Sequence, residues 1–317
     1  MKNRQEILAR LYSLTEYQTV RPIGELDSIN KIHALNFTQL KQHLEHLPNL
    51  KASTPGNLFN VSIYAKIEKV KYEFELLQHL NNYLSSAFSV VDYTREHFKK
   101  HYNDSLLPEY SQKISTDFSA NLLHRFMQDF RNYALHYGIP KLSRVKQLKP
   151  SDKDWTTEHY ITLNLKDLYE SSYEWKSLSR TYLENRTSDD IKISPLFEEY
   201  FNHLDGFQKW YKKEQREIFS KEISIIEKAE HDFSLLMFED LMSYIKSGKG
   251  YNYEMVENML LYCFTYDCQK EILSIQDTDE RLHLILSKLK NKISVPFSDL
   301  TILQLTLAKN IENVKMV

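Results

Sequence analysis

The stretch from Asn60 to Tyr102 contains neither proline nor glycine. Its apolar residues recur at steps of three and four, as on one buried face of an α-helix: Ile63, Ile67, Val70, Phe74, Leu77, Leu80, Leu84, Ala87 and Val91. At about 1.5 Å per residue such a helix exceeds about 60 Å, which is more than a small domain is wide. The stretch therefore predicts one long helix with a continuous buried seam. It either bends, belongs to an intramolecular bundle, or projects towards a partner.

Glycine is scarce in the whole chain, with 6 in 317 residues, and 8 prolines separate segments of helical spacing. The composition, 42% hydrophobic and 26% charged, indicates an ordered, mainly α protein. The glycine-rich phosphate motifs, the His-Glu-x-x-His zinc motif, the Gly-x-Ser-x-Gly motif and paired Cys-x2-Cys are all missing from the sequence. Their absence argues against an ATPase, a Rossmann dehydrogenase, a serine hydrolase and a zinc enzyme.

The 41 basic and 43 acidic residues give a net charge of -2, so any surface for nucleic acid must be local. The most basic window, residues 131–149, has five basic residues and no acidic one: Arg131, Lys141, Arg144, Lys146 and Lys149. One interpretation is a surface that attracts phosphates. The other is the solvated face of an edge strand, where lysines discourage pairing with other chains. Both interpretations stay open at this point.

A second helical pattern ends inside this window. One face is apolar, with Leu122, Leu123, Phe126, Met127, Phe130, Tyr133, Ala134 and Tyr137. The other face is polar, with His124, Arg125, Gln128, Asp129, Arg131, Asn132 and His136. Gly138 and Pro140 predict the end of the helix just past His136. On a straight helix Arg131 and His136 are offset by about 140°, so they converge only through the length of Arg131, a bend, or a second subunit.

The run Arg131-Asn132-Tyr133-Ala134-Leu135-His136 resembles the Arg, polar residue, spacer and His motif of the HEPN superfamily. These are helical proteins that include many metal-independent ribonucleases of toxin–antitoxin and antiphage systems. The resemblance covers about residues 57–150 and implies a HEPN-like antiparallel helical bundle. It also implies RNA products with a cyclic phosphate and a 5′-hydroxyl, a homodimer whose cleft holds two copies of the motif, and a protein antitoxin or regulator as a further partner.

RNA carries its own nucleophile, the 2′-hydroxyl, so cleavage requires proton transfer, a fixed cation and orientation, but no metal or cofactor. Our hypothesis is that His136 acts as general acid or base, Arg131 holds the scissile phosphate, and Asn132 orients one of them. The candidate substrate-binding residues are His124, Gln128, Lys141, Arg144 and Lys146. The alternative is a non-enzymatic HEPN-like binding or regulatory protein, in which Arg131 pairs with Asp129 or another buried carboxylate and His136 caps a helix end.

Two further pairs of residues are of the types that form metal or redox sites. His97 and His101 have the i, i+4 spacing of metal ligands, but the residues between them supply no carboxylate, so no metal site is predicted there. Cys263 and Cys268 fall in an apolar helical pattern and are predicted to be buried free thiols.

The sequence predicts three parts: an N-terminal helical extension over 1–55, a HEPN-like helical domain over 56–150, and a hairpin strand with a C-terminal helical region over 151–317. Leu142–Leu148 and His159–Leu165 are predicted to pair as a small β-hairpin. Helices are expected over 166–184 and over 195–246, the latter broken near Asp205-Gly206. The charged amino terminus and the lack of any run of about 18 apolar residues predict a cytoplasmic protein without a membrane partner.

Overall fold

The computed structural model describes residues 6, 9–11, 13–45, 63–150, 155–186, 188–248, 253–264, 266–292, 299 and 301–303. Within these ranges the side chains of 63–69, 146, 148–150, 155–157, 253, 266–267 and 278–279 are left undescribed. The chain divides into two compact units. The terminal unit comprises Met1–Arg21 and Phe219–Val317, and the central unit comprises Pro22–Ile218. The motif resembling HEPN proteins lies in the central unit.

The described chain is mainly helical. Its α-helices are α1 (Glu16–Val20), α2 (Pro22–Glu25), α3 (Asp27–Glu45), α4 (Ile63–His101), α5 (Tyr110–Ile114), α6 (Leu122–Asn132), α7 (Leu165–Tyr169), α8 (Ser177–Glu184), α9 (Ile193–Ile218), α10 (Ser220–Lys246), α11 (Tyr253–Leu261), α12 (Tyr266–Leu273) and α13 (Thr278–Lys292). The described chain also contains two π-helical turns, Ser115–Ser119 and Tyr133–Tyr137. It has three strands: β1 (Leu142–Pro150), β2 (Trp155–Asn164) and β3 (Asp190–Lys192). The predicted fold class, mainly α with a small sheet, is confirmed at this level.

The long helix is confirmed as α4, and α3 packs along it. Its central residues form the core of the central unit, with Leu80, Tyr83 and Leu84 almost fully buried. The predicted seam is wrong at Val70 and Phe74, which are 65% and 72% exposed. The buried residues there are Tyr72 and Leu76, which continue the seam at steps of four towards Leu80. The side chains of Ile63 and Ile67, which precede Val70 in the predicted seam, lie outside the described residues.

The predicted hairpin is also confirmed. β1 and β2 pair antiparallel, with Leu142 opposite Leu163 and Arg144 opposite Ile161. Ile161 and Leu163 point into the core, as expected from their alternation with polar residues. The short strand β3 pairs with the other side of β2, which leaves β1 at the edge of this sheet. The basic residues of β1 therefore lie on an edge strand, as the second interpretation of the basic window requires.

Two expected helix boundaries differ from the structure. The region 166–184 forms two short helices, α7 and α8, separated by a non-helical segment. The break expected near Asp205-Gly206 is wrong, because α9 continues through Gly206 to Ile218. Buried Leu204, Phe207 and Tyr211 hold this part of α9 against the core, so tertiary packing outweighs the weak helical preference of one glycine. Over the residues described, no helix combines the length and the apolar character needed to cross a membrane.

Candidate active site at the end of helix α6

Helix α6 begins at a side-chain cap. Asn121 adopts an extended backbone conformation, and its Oδ1 accepts a hydrogen bond from the His124 backbone N–H at 2.9 Å. The apolar face follows the predicted spacing as far as Phe130, since Phe126, Met127 and Phe130 are fully buried, but the prediction is wrong at Tyr137, which is 49% exposed. This packing fixes the direction in which the polar residues of α6 point.

His124, a predicted substrate-binding residue, is 4% exposed. Its Nδ1 lies 3.0 Å from the Tyr200 hydroxyl, and its ring packs among Phe88, Phe118 and Tyr200. Burial lowers the pKa of His124 to about 3, with smaller contributions from nearby cationic groups, so the ring is neutral at physiological pH. The structure thus places His124 in the core, among aromatic rings.

Asp129 lies one turn further along the helix and is 1% exposed. Its carboxylate accepts a hydrogen bond from the Ser179 hydroxyl at 2.7 Å and from the Lys176 backbone N–H at 3.0 Å. The Lys176 ammonium is 3.6 Å away. Both hydrogen bonds satisfy donors at the start of α8, so Asp129 acts as a cap supplied by another helix. Arg131 is not its partner, contrary to the alternative considered from the sequence.

The motif itself spans a change of helix type. Beyond Asn132 the chain enters the π-helical turn Tyr133–Tyr137, which the hydrogen bond from the Gly138 N–H to the Tyr133 carbonyl closes at 3.0 Å. A π turn rotates less per residue than an α turn, because its hydrogen bonds span five residues instead of four. The offset between Arg131 and His136 is therefore smaller than the 140° or so of a straight helix. The local bend is a route to convergence within one chain.

Aromatic side chains support this turn from one side. The Tyr133 ring lies 5.7 Å from Trp175, and the Tyr137 ring lies 5.3 Å from Tyr173. The Tyr137 hydroxyl is hydrogen-bonded to the Ser172 hydroxyl. Because these contacts come from the segment between α7 and α8, the shape of the turn depends on residues far along the sequence.

The three predicted catalytic residues differ from the rest of α6 in their surroundings. Arg131 and Asn132 are half-buried and His136 is exposed. The Arg131 guanidinium lies 5.8 Å from the centre of the Phe88 ring, and its Nε is buried without a hydrogen-bond partner. Within the described parts of the chain, no carboxylate forms an ion pair with Arg131. The motif thus contains a partly desolvated cation and, five residues later in the sequence, an exposed imidazole.

The other predicted substrate-binding residues have intramolecular partners where their side chains are described. Gln128 accepts a hydrogen bond from Arg125 at 2.8 Å, and Lys141 forms an ion pair with Asp167 at 3.1 Å while remaining 77% exposed. The Arg144 guanidinium lies 5.3 Å from the centre of the Tyr72 ring. The Lys146 side chain lies outside the described residues.

A cavity of about 220 Å³ lies directly beyond the π turn. Its walls include Tyr72 and Leu76 from α4, Ile139 and Pro140 after the turn, and Arg144 and Ile161 from the hairpin. The other lining side chains are mainly apolar, and two charged groups, the Arg144 guanidinium and the Glu73 carboxylate, also line the cavity. Sequence analysis missed this cavity because its walls come from segments about 70 residues apart.

The structure also brings Glu25 to within 4.8 Å of the ligand atoms of His97 and His101. The His101 Nε2 lies 2.9 Å from the Glu25 carboxylate, which supplies the acidic group that the local sequence lacks. His97 has both ring nitrogens engaged, with Nε2 donating to the Pro22 carbonyl at 2.9 Å and Nδ1 lying 3.0 Å from the Tyr211 hydroxyl. This arrangement is a hydrogen-bonded link between α2 and α4. A metal ion would have to displace one of the bonds of His97.

Comparisons with protein-family models, curated proteins and solved structures give no match to this chain.

Proposed function

We propose that this chain is a metal-independent endoribonuclease of the HEPN type, acting in the cytoplasm as a toxin or as a component of antiphage defence. The observation that carries the proposal is Arg131. A half-buried guanidinium without a carboxylate partner among the described residues is poorly solvated, and an anion would compensate it. A scissile phosphate next to His136 is such an anion.

The reaction follows from these groups. His136 accepts the proton of the 2′-hydroxyl as its oxygen attacks phosphorus, or donates a proton to the leaving 5′-oxygen as the P–O5′ bond breaks. Arg131 stabilises the charge that develops on the phosphoryl oxygens, and the Asn132 amide orients the phosphate or the imidazole. In a homodimer, two copies of the motif supply two histidines, so one copy removes a proton while the other provides one. The products are a 2′,3′-cyclic phosphate and a 5′-hydroxyl.

The test is incubation of the purified protein with total RNA in excess EDTA, followed by mapping of the ends. We expect cleavage that survives chelation and falls by at least about a hundredfold in His136→Ala, a typical loss for a general acid or base. Arg131→Ala should show a similar loss. A substrate with a 2′-deoxynucleotide at the cut position should resist cleavage, because it lacks the nucleophile.

Two matched variants control this experiment. His283→Ala removes another exposed histidine, and Arg125→Ala removes another half-buried arginine of α6. Both should retain cleavage. Equal loss in the control variants, or cleavage that stops with EDTA, would refute the proposed roles.

The competing proposal is a binding or regulatory protein with the same helical domain. The observation that favours it is the state of the predicted substrate-binding residues: His124, Gln128 and Lys141 all have intramolecular partners. Under this proposal RNA or a regulator protein binds without being cut. Binding of RNA by the wild-type protein without any cleavage, and loss of that binding in Arg131→Ala, would support it.

A further inference from the structure

A second cavity, of about 210 Å³, lies between α3 and α9 in the central unit, away from the residues of the motif. Its walls include Asn30, His33 and Ala34 from α3, and Phe201, Leu204 and Asp205 from α9. His33 is 4% exposed. Both His33 Nε2 and Asn30 Oδ1 are buried without a hydrogen-bond partner. An unpartnered polar atom at a buried position is costly, so two at one cavity indicate a missing partner.

The chemical character of His33 Nε2 follows from a chain of hydrogen bonds. The Ser86 hydroxyl donates its only hydrogen to the Tyr83 carbonyl at 2.9 Å. Its oxygen can therefore only accept from His33 Nδ1, which lies 3.3 Å away. Burial lowers the pKa of His33 to about 4, so the ring is neutral and carries its hydrogen on Nδ1. The remaining nitrogen, Nε2, is consequently an acceptor.

A second chain of hydrogen bonds determines the orientation of Asn30. The Thr94 hydroxyl donates to the Val90 carbonyl at 2.7 Å, so its oxygen accepts from the Gln208 amide NH₂ at 2.8 Å. The Gln208 carbonyl oxygen then faces Asn30 and accepts from its Nδ2 at 3.3 Å. Because the chain ends on a backbone carbonyl, no exchange of amide oxygen and nitrogen satisfies all its members better. Asn30 Oδ1 is therefore left as an acceptor too.

The cavity thus offers two acceptors without a hydrogen-bond partner beside an apolar wall, and its lining also includes the ammonium groups of Lys209 and Lys212. The negative charge of Asp205 acts on the His33 ring, because it raises the pKa of His33 while the larger effect of burial lowers it. The two rim carboxylates, Asp27 and Asp205, are paired with Lys212 and Lys209. A volume of about 210 Å³ is several times the roughly 30 Å³ that one water occupies in the liquid. The two free acceptors and the negative charge of Asp205 near the His33 ring favour a positively charged hydrogen-bond donor with a short apolar tail.

We propose that this cavity binds a small organic cation through a primary ammonium group, which donates hydrogen bonds to His33 Nε2 and Asn30 Oδ1. The tail of the ligand packs against Ala34, Phe201 and Leu204. This proposal does not depend on RNA cleavage. If the cavity binds no cation, the proposed ribonuclease activity is unaffected.

The test uses the full-length protein and n-butylammonium as the probe, followed by calorimetry and by the ¹⁵N chemical shift of His33 Nε2. An unprotonated ring nitrogen without a hydrogen bond resonates far downfield and moves upfield when it accepts one. We expect saturable binding together with that upfield movement. Tetramethylammonium has the same charge but no N–H donor, and 1-butanol has the same tail but no charge. Each should bind at least about tenfold more weakly.

Asn30→Leu removes one acceptor at a half-buried position and should weaken binding at least about tenfold while the Nε2 resonance still responds. Asn36→Leu, on the same helix but outside the cavity wall, is the matched control and should bind normally. Equal binding of tetramethylammonium and n-butylammonium would overturn the proposal. An Nε2 resonance that is already upfield in the free protein and unchanged by the probe would also overturn it, because water alone would then fill the cavity.

Discussion

The polar residues within α6 and those at its junction with the π turn are similar in type, but their side-chain hydrogen bonds differ. Within the helix, His124 and Asp129 are almost fully buried, and their side chains contact Tyr200 and the start of α8. At the end of the helix, Arg131, Asn132 and His136 have no side-chain hydrogen bond to another described residue. On a helical wheel all five belong to the same polar stripe.

This difference shows what a polar stripe does and does not indicate. A buried polar residue whose partners lie within the fold stabilises that fold, and its replacement costs stability. A polar residue left without partners in a half-buried position contributes little to stability and remains available to a ligand. Stability measurements along α6 therefore test the assignment of the site independently of any assay for RNA cleavage.

The largest effect on stability is expected for Asp129→Ala, at the buried carboxylate that contacts the start of α8. This change removes two hydrogen bonds to a buried carboxylate. The Ser179 hydroxyl can then donate to the Arg125 carbonyl at 2.9 Å, but the Lys176 N–H is left without its acceptor, so the free energy of unfolding should fall by about 3 kcal/mol. Urea denaturation measures the loss. Asp167→Ala, which breaks the exposed ion pair with Lys141, is the control and should cost less than about 1 kcal/mol. Equal losses in the two variants would contradict the capping role of Asp129.

A smaller effect is expected from acid, through His124. Its pKa is about 3 in the folded protein and about 6.5 when unfolded, so the unfolded state binds the additional proton in between. The stability linked to His124 is therefore complete above about pH 6.5. It decreases as the pH falls and is fully lost near pH 3. At pH 5 the expected loss is about 2 kcal/mol.

The measurement for His124 is urea denaturation at pH 7.5 and at pH 5 for the wild type and for His124→Phe, which fills the same space without titrating. The wild type should lose about 2 kcal/mol more than the variant between the two pH values. Because His33 also has its pKa lowered, to about 4, the variant should still lose some stability. The same pH dependence in both proteins would show that the folded state does not lower the pKa of His124.

The sequence was sufficient for features that depend on local periodicity. The apolar residues of α4 and the alternation in β2 predicted a long helix and a hairpin, and both are present. The helix break predicted at Gly206 was wrong, because it rested on the residue type alone. Buried neighbours on either side of Gly206 keep α9 continuous. The three-residue strand β3 was also missed, because it is too short to show an alternating pattern.

The candidate site shows the same limit. Its three residues could be named from a short motif, but their surroundings come from elsewhere in the chain. The Phe88 ring near Arg131 comes from α4, and the Trp175 and Tyr173 rings that contact the π turn come from the segment between α7 and α8. The π turn was not predicted, because a shift of one residue in the hydrogen-bond pattern leaves the apolar spacing almost unchanged. Tyr133 and Tyr137, whose rings pack on a distant segment, were assigned only to a buried helix face.

The smallest effect on stability is expected for Arg131→Met, at the junction of α6 and the π turn. The methionine keeps the apolar length of the side chain and removes a guanidinium whose buried Nε has no partner. The contact with the Phe88 ring is worth about 0.5–1 kcal/mol, and relief of the buried Nε offsets it. The free energy of unfolding should therefore change by less than about 1 kcal/mol while RNA cleavage is lost. Arg125→Met, which removes the hydrogen bond to Gln128, is the matched control and should retain cleavage. If Arg131→Met lowered the free energy of unfolding by more than about 3 kcal/mol, Arg131 would stabilise the fold as Asp129 does. The proposed difference between the buried residues of α6 and the residues of the motif would then be wrong.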